Sequence, residues 1–325
     1  MVSGASLWIL KHQQTKYISN LLMNSDELKM KLWFISGMDA ILHINKGNQH
    51  ISKININIKF KEMTSINKTV LLEDLVNNIS FRKANAELPV ILGETESGDI
   101  RIVDLKDLKA LLVSGATKQG KTNFLKSLIS SLVLKKDPQK LKLVLLDTRY
   151  TAFNEFRKLA NQYLTFGPKD EVNEDNCIAN DSESCTKALE SIAVELKKRK
   201  RLLKQAGVRN ITDYNCKRGK NIMHDEGNHP YLPYIVCVCD EYSDLTNFSG
   251  KSNKENKKYI IRLAKKGPAV GIHMVIATQR PLSAVITWKI KHHYPSRIAF
   301  RVTMKNDSKV ILNRAGAEEI KAQGE

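Results

Sequence analysis

From residue 88 onward, short apolar runs alternate with longer segments of helical spacing. The runs cover residues 111–113, 141–146, 234–239 and 274–277, and 298–302 adds a further one. Runs so short and so nearly continuous suit parallel strands buried on both sides by helices. They predict an α/β fold with a mostly parallel sheet covered by helices. Behind the first run, Phe124, Leu125, Leu128, Ile129, Leu132 and Val133 recur at helical spacing and predict a helix over 123–134. A second helix is predicted over 186–205, closed by Gly207 as its C-cap, and its C-terminal half (Lys197, Lys198, Arg199, Lys200, Arg201) is basic. Two polar stretches without periodicity, 173–184 and 246–258, read as exposed loops.

Residues 1–85 follow a different pattern. Ile54, Ile56, Ile58 and Phe60 alternate with Lys53, Asn55, Asn57 and Lys59, as in a strand with one buried face, and helical spacing occurs at 17–22 and 70–79. A small α+β accessory module is expected over 1–85, followed by a larger domain over 86–325. No residue of the module carries recognisable chemistry.

Composition narrows the partners. Hydrophobic residues make up 42% of the 325-residue chain, enough for a real core. The 52 Lys and Arg against 34 Asp and Glu give a net charge of +18, which favours a polyanion. Nucleic acid fits better than a membrane surface, because no segment is both strongly amphipathic and rich in Trp or Phe. No run of 18 apolar residues occurs, and the opening MVSGASLWIL lacks the basic start of a signal peptide, so a cytoplasmic location is expected. The five cysteines, Cys177, Cys185, Cys216, Cys237 and Cys239, lack paired C-x-x-C spacing and do not suggest a zinc site. Cys237 and Cys239 should share one face of a strand as small core residues.

The chemistry begins at GATKQGKT, which is Gly115, Ala116, Thr117, Lys118, Gln119, Gly120, Lys121 and Thr122. It fits G-x-x-x-x-G-K-[ST] between a strand and a helix. Such a loop wraps backbone N–H groups around phosphates and aims a helix N-terminus at them. Lys121 would reach the β- and γ-phosphates of ATP, and the Thr122 hydroxyl would ligate Mg²⁺. The run at 234–239 ends in Asp240 and Glu241. Downstream of a phosphate loop, the first acid would hold Mg²⁺ through water and the second would act as the base on attacking water. A third strand ends in Thr278, Gln279, Arg280 and Pro281, which makes Gln279 the candidate γ-phosphate sensor.

These three motifs, together with LPVILG at 88–93, GVRNITDYN at 207–215, VITWKIKHHYPSRIAFRV at 285–302 and the stretch from Asp307 to Glu318, resemble the motor domain of the FtsK/SpoIIIE DNA translocases, in the family's order. The resemblance implies a RecA-like P-loop ATPase that assembles as a homo-hexamer around double-stranded DNA, with ATP between subunits. It assigns Gly115 to Thr122 as the nucleotide loop, Asp240 and Glu241 as the Mg²⁺ and base pair, and Gln279 as the sensor. Lys118 and Gln119 stand where the family usually has Gly and Ser. Asp147, Thr148 and Arg149 replace Asp-Pro-Lys, and Pro268 falls where an arginine commonly precedes the strand.

A ring ATPase needs a cation supplied in trans to the transferring phosphoryl, for which Arg280, Arg297 and Arg301 are the candidates. DNA contact would run through backbone phosphates, with Lys251, Lys254, Lys257 and Lys258 on a loop facing the pore. The family's membrane segments and polarity-reading winged helix are not in the sequence, and the chain stops at Glu325 where the family's sheet usually continues, so a fragment is expected. The N-terminal module is where a membrane or mobile-element partner would attach. Two further functions compete with a DNA translocase: a coupling protein of a conjugative or mobile element, and a non-motor DNA-binding factor switched by ATP.

Overall fold

The computed structural model describes residues 5–9, 30–34, 38–44, 54–57, 72–94, 99–165, 173–219, 229–247 and 251–320. The chain divides into two compact units: residues 1–131 with 277–325, and residues 132–276. The helical spacing at 17–22, and Ile58 and Phe60 of the alternating stretch, lie outside the described residues.

In the first unit, β1 (Ala5–Ile9) precedes an antiparallel meander of β2 (Met30–Phe34), β3 (Met38–Ile44) and β4 (Ile54–Asn57). Two short helices follow, α1 (Leu72–Asn77) and α2 (Ile79–Lys83). The Asn78 side chain caps the second by accepting from the Ser80 N–H at 2.8 Å. The hairpin of β5 (Pro89–Glu94) and β6 (Ile100–Asp104) shares a core with them, in which Leu75, Phe81 and Ile91 are buried among Leu72, Val76, Ile100 and Ile102. After α3 (Leu105–Leu108) comes β7 (Ala110–Ser114), every residue of which is buried. It pairs in parallel with β12 (Ser296–Phe300), and β12 pairs antiparallel with β1. The predicted run at 298–302 is thus seen two residues earlier.

In the second unit, β8 (Leu141–Leu146), β9 (Ile178–Ala179), β10 (Tyr234–Cys239) and β11 (Ile272–Thr278) are all parallel, in the order β11-β10-β8-β9; β11 enters the first unit at Ala277. All residues of β10 and β11 are buried, Cys237 and Cys239 among them, which explains runs with no alternation. The described sheet is mostly parallel and flanked by helices, as the α/β pattern predicts.

Two expected loops are corrected. Within 173–184, Cys177, Ile178 and Ala179 are buried, the last two forming β9, and Asp181 with Ser184 closes a capping box on α5 (Ser182–Gln205). Three apolar residues were too few to register as a period. Within 246–258, Lys251 opens a helix, α8 (Lys251–Lys266), preceded by α7 (Tyr242–Asn247). Of the described side chains in its first half only Asn256 is buried, while Ile260, Leu263 and Ala264 anchor the second half, so the apolar signal began too late to mark the start.

Helix α5 ends as expected. Gly207 adopts φ 64°, and Val208 donates its N–H to the Leu203 carbonyl at 3.0 Å. Its basic run is not uniformly exposed. Arg199 is buried, with Nε on Glu195 at 2.8 Å and Nη1 on the Pro233 and Val270 carbonyls at 2.7 and 3.0 Å, so this arginine fastens the strand ends instead of facing solvent.

Candidate functional site

The loop 115–120 links β7 to α4 (Lys121–Lys135), and its first glycine is required by packing. A Cβ on Gly115 would lie 2.5 Å from Phe300 Cβ and 3.0 Å from the Phe300 backbone, so only glycine lets the loop cross β12. The Ala116 N–H donates to the Arg301 carbonyl at 2.8 Å, and the Phe124 ring packs 6.1 Å from that of Phe300. Gly120 takes φ 96°, in the left-handed region where glycine carries no Cβ penalty, and Lys118 takes φ 60° without that freedom. The buried Lys121 donates from Nζ to the Ala116 carbonyl at 2.5 Å, so its ammonium is held within the turn of the loop.

The end of β11 is sewn to this loop. Ser114 Oγ donates to the Thr278 carbonyl at 3.2 Å, and Thr117 Oγ1 donates to Gln279 Oε1 at 2.9 Å. The predicted sensor and the predicted phosphate loop therefore meet, although 162 residues separate the two hydrogen-bonded side chains. Arg280, the next residue, is exposed, and Arg301 is half-buried.

Arg297 corrects an expectation. It is 4% exposed, and its Nε, Nη1 and Nη2 donate to the carbonyls of Tyr294, Ile311 and Lys291 at 3.2, 3.1 and 2.8 Å. Burial pushes its pKa down to about 10. A guanidinium spent on three carbonyls inside its own chain is not available to a neighbouring subunit.

In the second unit, Asp240 and Glu241 follow β10 and are 5% and 1% exposed. The Asp240 N–H continues the ladder to the Leu146 carbonyl at 3.1 Å. Glu241 Oε1 accepts from the Ser243 N–H at 3.2 Å and from its Oγ at 2.8 Å. Glu241 Oε2 lies 3.5 Å from Nη2 of Arg149, whose Nε donates to Asp244 Oδ2 at 2.8 Å. The hydrogen bond to Asp244, then the charges of Glu241, Asp244 and Asp240, raise the Arg149 pKa against the opposing pull of burial. Asp147 is buried too, and its carboxylate accepts the N–H groups of Arg149, Thr151, Ala152 and Phe153, which shapes the turn that presents Arg149.

Arg149, marked in the sequence only as a departure from the family's Asp-Pro-Lys, was not expected beside Glu241. Only the β8–β10 pairing, which puts Leu146 opposite Cys239, brings the two strand ends together. Of the lysines expected on a pore-facing loop, Lys251 opens α8, Lys254 and Lys258 are exposed on it, and Lys257 is half-buried; they belong to a helix.

No group of three or more His, Cys, Asp or Glu among the described residues would hold a metal by itself. Mg²⁺ does not need one, since it binds through one or two carboxylates with phosphates and waters. Among the described residues, no helix is long and apolar enough to cross a membrane.

The sequence pattern of the FtsK/SpoIIIE family matches residues 71–283. DNA translocase FtsK of Chlorobaculum tepidum is 36% identical over 258 residues, covering 79% of this chain and 30% of that protein. DNA translocase SpoIIIE of Bacillus subtilis is 32% identical over 277 residues, covering 84% and 32%. The chain thus spans about a third of the length of these relatives. Among solved structures, the monomer of the pCW3 conjugation coupling protein TcpA with ATPγS aligns with a TM-score of 0.57 at 19% identity, covering 90% of this chain and 83% of that one. The cytoplasmic domain of the type VII secretion ATPase EccC of Thermomonospora curvata aligns with a TM-score of 0.58 at 21% identity, covering 72% and 26%.

Proposed function

Because the chain belongs to the FtsK/SpoIIIE family, we propose that it is the motor portion of an ATP-driven double-stranded DNA translocase, acting as a homo-hexamer. The observation that carries this reading is the hydrogen bond from Thr117 to Gln279, which ties the nucleotide loop to a polar residue at a strand end. Such a contact gives the loop a route for reporting the state of the γ-phosphate to the rest of the chain.

In this reading the N–H groups of residues 115–122 and the Lys121 ammonium hold the ATP phosphates. Thr122 and Asp240 would hold Mg²⁺, which supplies charge neutralisation to the phosphates. Glu241 orients a water for in-line attack and takes its proton; the bond from the γ-phosphorus to the bridging oxygen breaks, and ADP leaves. Exposed Arg280 is the cation offered to a neighbouring subunit's nucleotide, with Arg301 second to it. The first half of α8, with exposed Lys254 and Lys258, contacts DNA phosphates, since movement along arbitrary sequence excludes reliance on base edges. Residues 1–85 serve as the accessory segment through which a membrane or mobile-element partner attaches.

The test is the ATPase rate with and without linear duplex DNA. Stimulation by DNA, with turnover lost and ATP binding kept in Glu241→Gln, supports the motor. ATP-dependent DNA binding without stimulated turnover would instead identify an ATP-switched binding factor.

A further inference from the structure

The Glu241 side chain is fully buried, and a buried carboxylate is stable only with partners for both oxygens. Ser243 supplies two donors, and both go to Oε1. On Oε2 the structure places the Arg149 guanidinium, at 3.5 Å. Arg149 is held more tightly elsewhere, by Asp244 at 2.8 Å, and Thr148 Oγ1 adds a 3.4 Å contact to the same Asp244 oxygen. Asp244 therefore fixes where the guanidinium stands, and the guanidinium in turn sets Glu241. At 3.5 Å the contact restrains Oε2 by charge and direction.

We propose that Arg149, anchored by Asp244, is a positioning residue that holds the Glu241 carboxylate in its working orientation for attack on the nucleotide. The role rests on Glu241 being the base. It requires a planar guanidinium, because Nε serves Asp244 while Nη2 serves Glu241; the single nitrogen of a lysine does not span both in this geometry. Asp147 supports the arrangement by gathering the N–H groups of the turn that carries Arg149.

The test measures DNA-stimulated ATPase kinetics and nucleotide binding in Arg149→Gln, Arg149→Lys, Asp244→Asn and their combinations with each other and with Glu241→Gln. Misplacing a catalytic group by about 1 Å costs on the order of 100-fold. Arg149→Gln should therefore lower kcat by about 10- to 100-fold with KM for ATP held within about twofold, and Arg149→Lys should not restore it. Asp244→Asn should act in the same direction. The pair Arg149→Gln with Asp244→Asn should be no worse than Arg149→Gln alone, and Arg149→Gln should cost nothing further in a Glu241→Gln background. If Arg149→Gln does not fold, Asp244→Asn carries the test, since it releases the guanidinium and leaves it in place. Wild-type kcat in both variants, full rescue by lysine, or additive losses overturn the proposal. Turnover surviving in Glu241→Gln removes the base reading and this role with it, whereas an inactive Glu241→Gln beside a wild-type Arg149→Gln removes this role alone.

Discussion

Replacing Arg297 by Gln separates a structural arginine from one that acts on a neighbour. The guanidinium donates three hydrogen bonds, to the carbonyls of Lys291, Tyr294 and Ile311, and these tie the end of α9 (Trp288–His293) and the end of α10 (Lys305–Leu312) to β12. Charge-assisted hydrogen bonds contribute about 1.5–3 kcal/mol each, and a buried carbonyl left unpaired costs about 1–3 kcal/mol. Desolvation of the buried cation, visible in a pKa pushed down to about 10, offsets part of that gain. Glutamine can pair at most some of the three carbonyls, so a net loss of about 3 kcal/mol is expected. With an m-value of roughly 3 kcal/mol per molar urea, the unfolding midpoint should fall by about 1 M, followed by circular dichroism. Nucleotide turnover should fall only in proportion to the folded fraction. A variant with the wild-type midpoint and no turnover would refute the argument and return Arg297 to the set of residues acting in trans.

Three further outcomes follow from the same geometry. Gly115→Ala puts a Cβ about 0.9 Å inside ordinary contact with Phe300, on a strand paired on both sides; it should cost about 2–3 kcal/mol and abolish binding of a fluorescent ATP analogue, whereas wild-type binding would show that β12 yields easily. Of the five thiols only Cys216 is exposed, and burial pushes Cys185 up to about 12, so a thiol reagent at pH 8 should modify one cysteine in the native chain and five in denaturant; rapid reaction of more than one would contradict the buried placement. Charge reversal at Lys254 and Lys258 should weaken duplex DNA binding and reduce the salt dependence by about one unit of log–log slope for each phosphate that is no longer neutralised; an unchanged slope would take α8 off the DNA.

The strands β8 and β10 could be read from the sequence residue for residue, because a central parallel strand is buried on both faces and its apolar run has sharp ends. The phosphate loop was equally plain, since it is a local turn whose glycines are dictated by its own backbone and by one crossing strand. Helix α8 was missed for the opposite reason. Among the described side chains of its first half no apolar residue is buried, and its buried apolar anchors, Ile260, Leu263 and Ala264, lie in the second half. Strand β9 is two residues long and exists only because β8 offers it an edge.

The sequence by itself determined the α/β architecture, the loop from Gly115 to Thr122, the acid pair at the end of β10 and the identity of the residue that meets the loop, Gln279. The first two are local patterns of period and spacing, whereas Asp240, Glu241 and Gln279 stood out by their places at strand ends downstream of the loop and by the family resemblance. Tertiary structure alone decided which charged side chains are spent and which are offered. Arg297 and Arg280 look equivalent in a string of letters, yet one is buried against three carbonyls and the other is exposed. Arg149 acquires its place beside Glu241 only through strand register, 92 residues away in the chain. Burial and register are set by contacts between segments distant in sequence, so the charge of a residue could be read in advance and its partner could not.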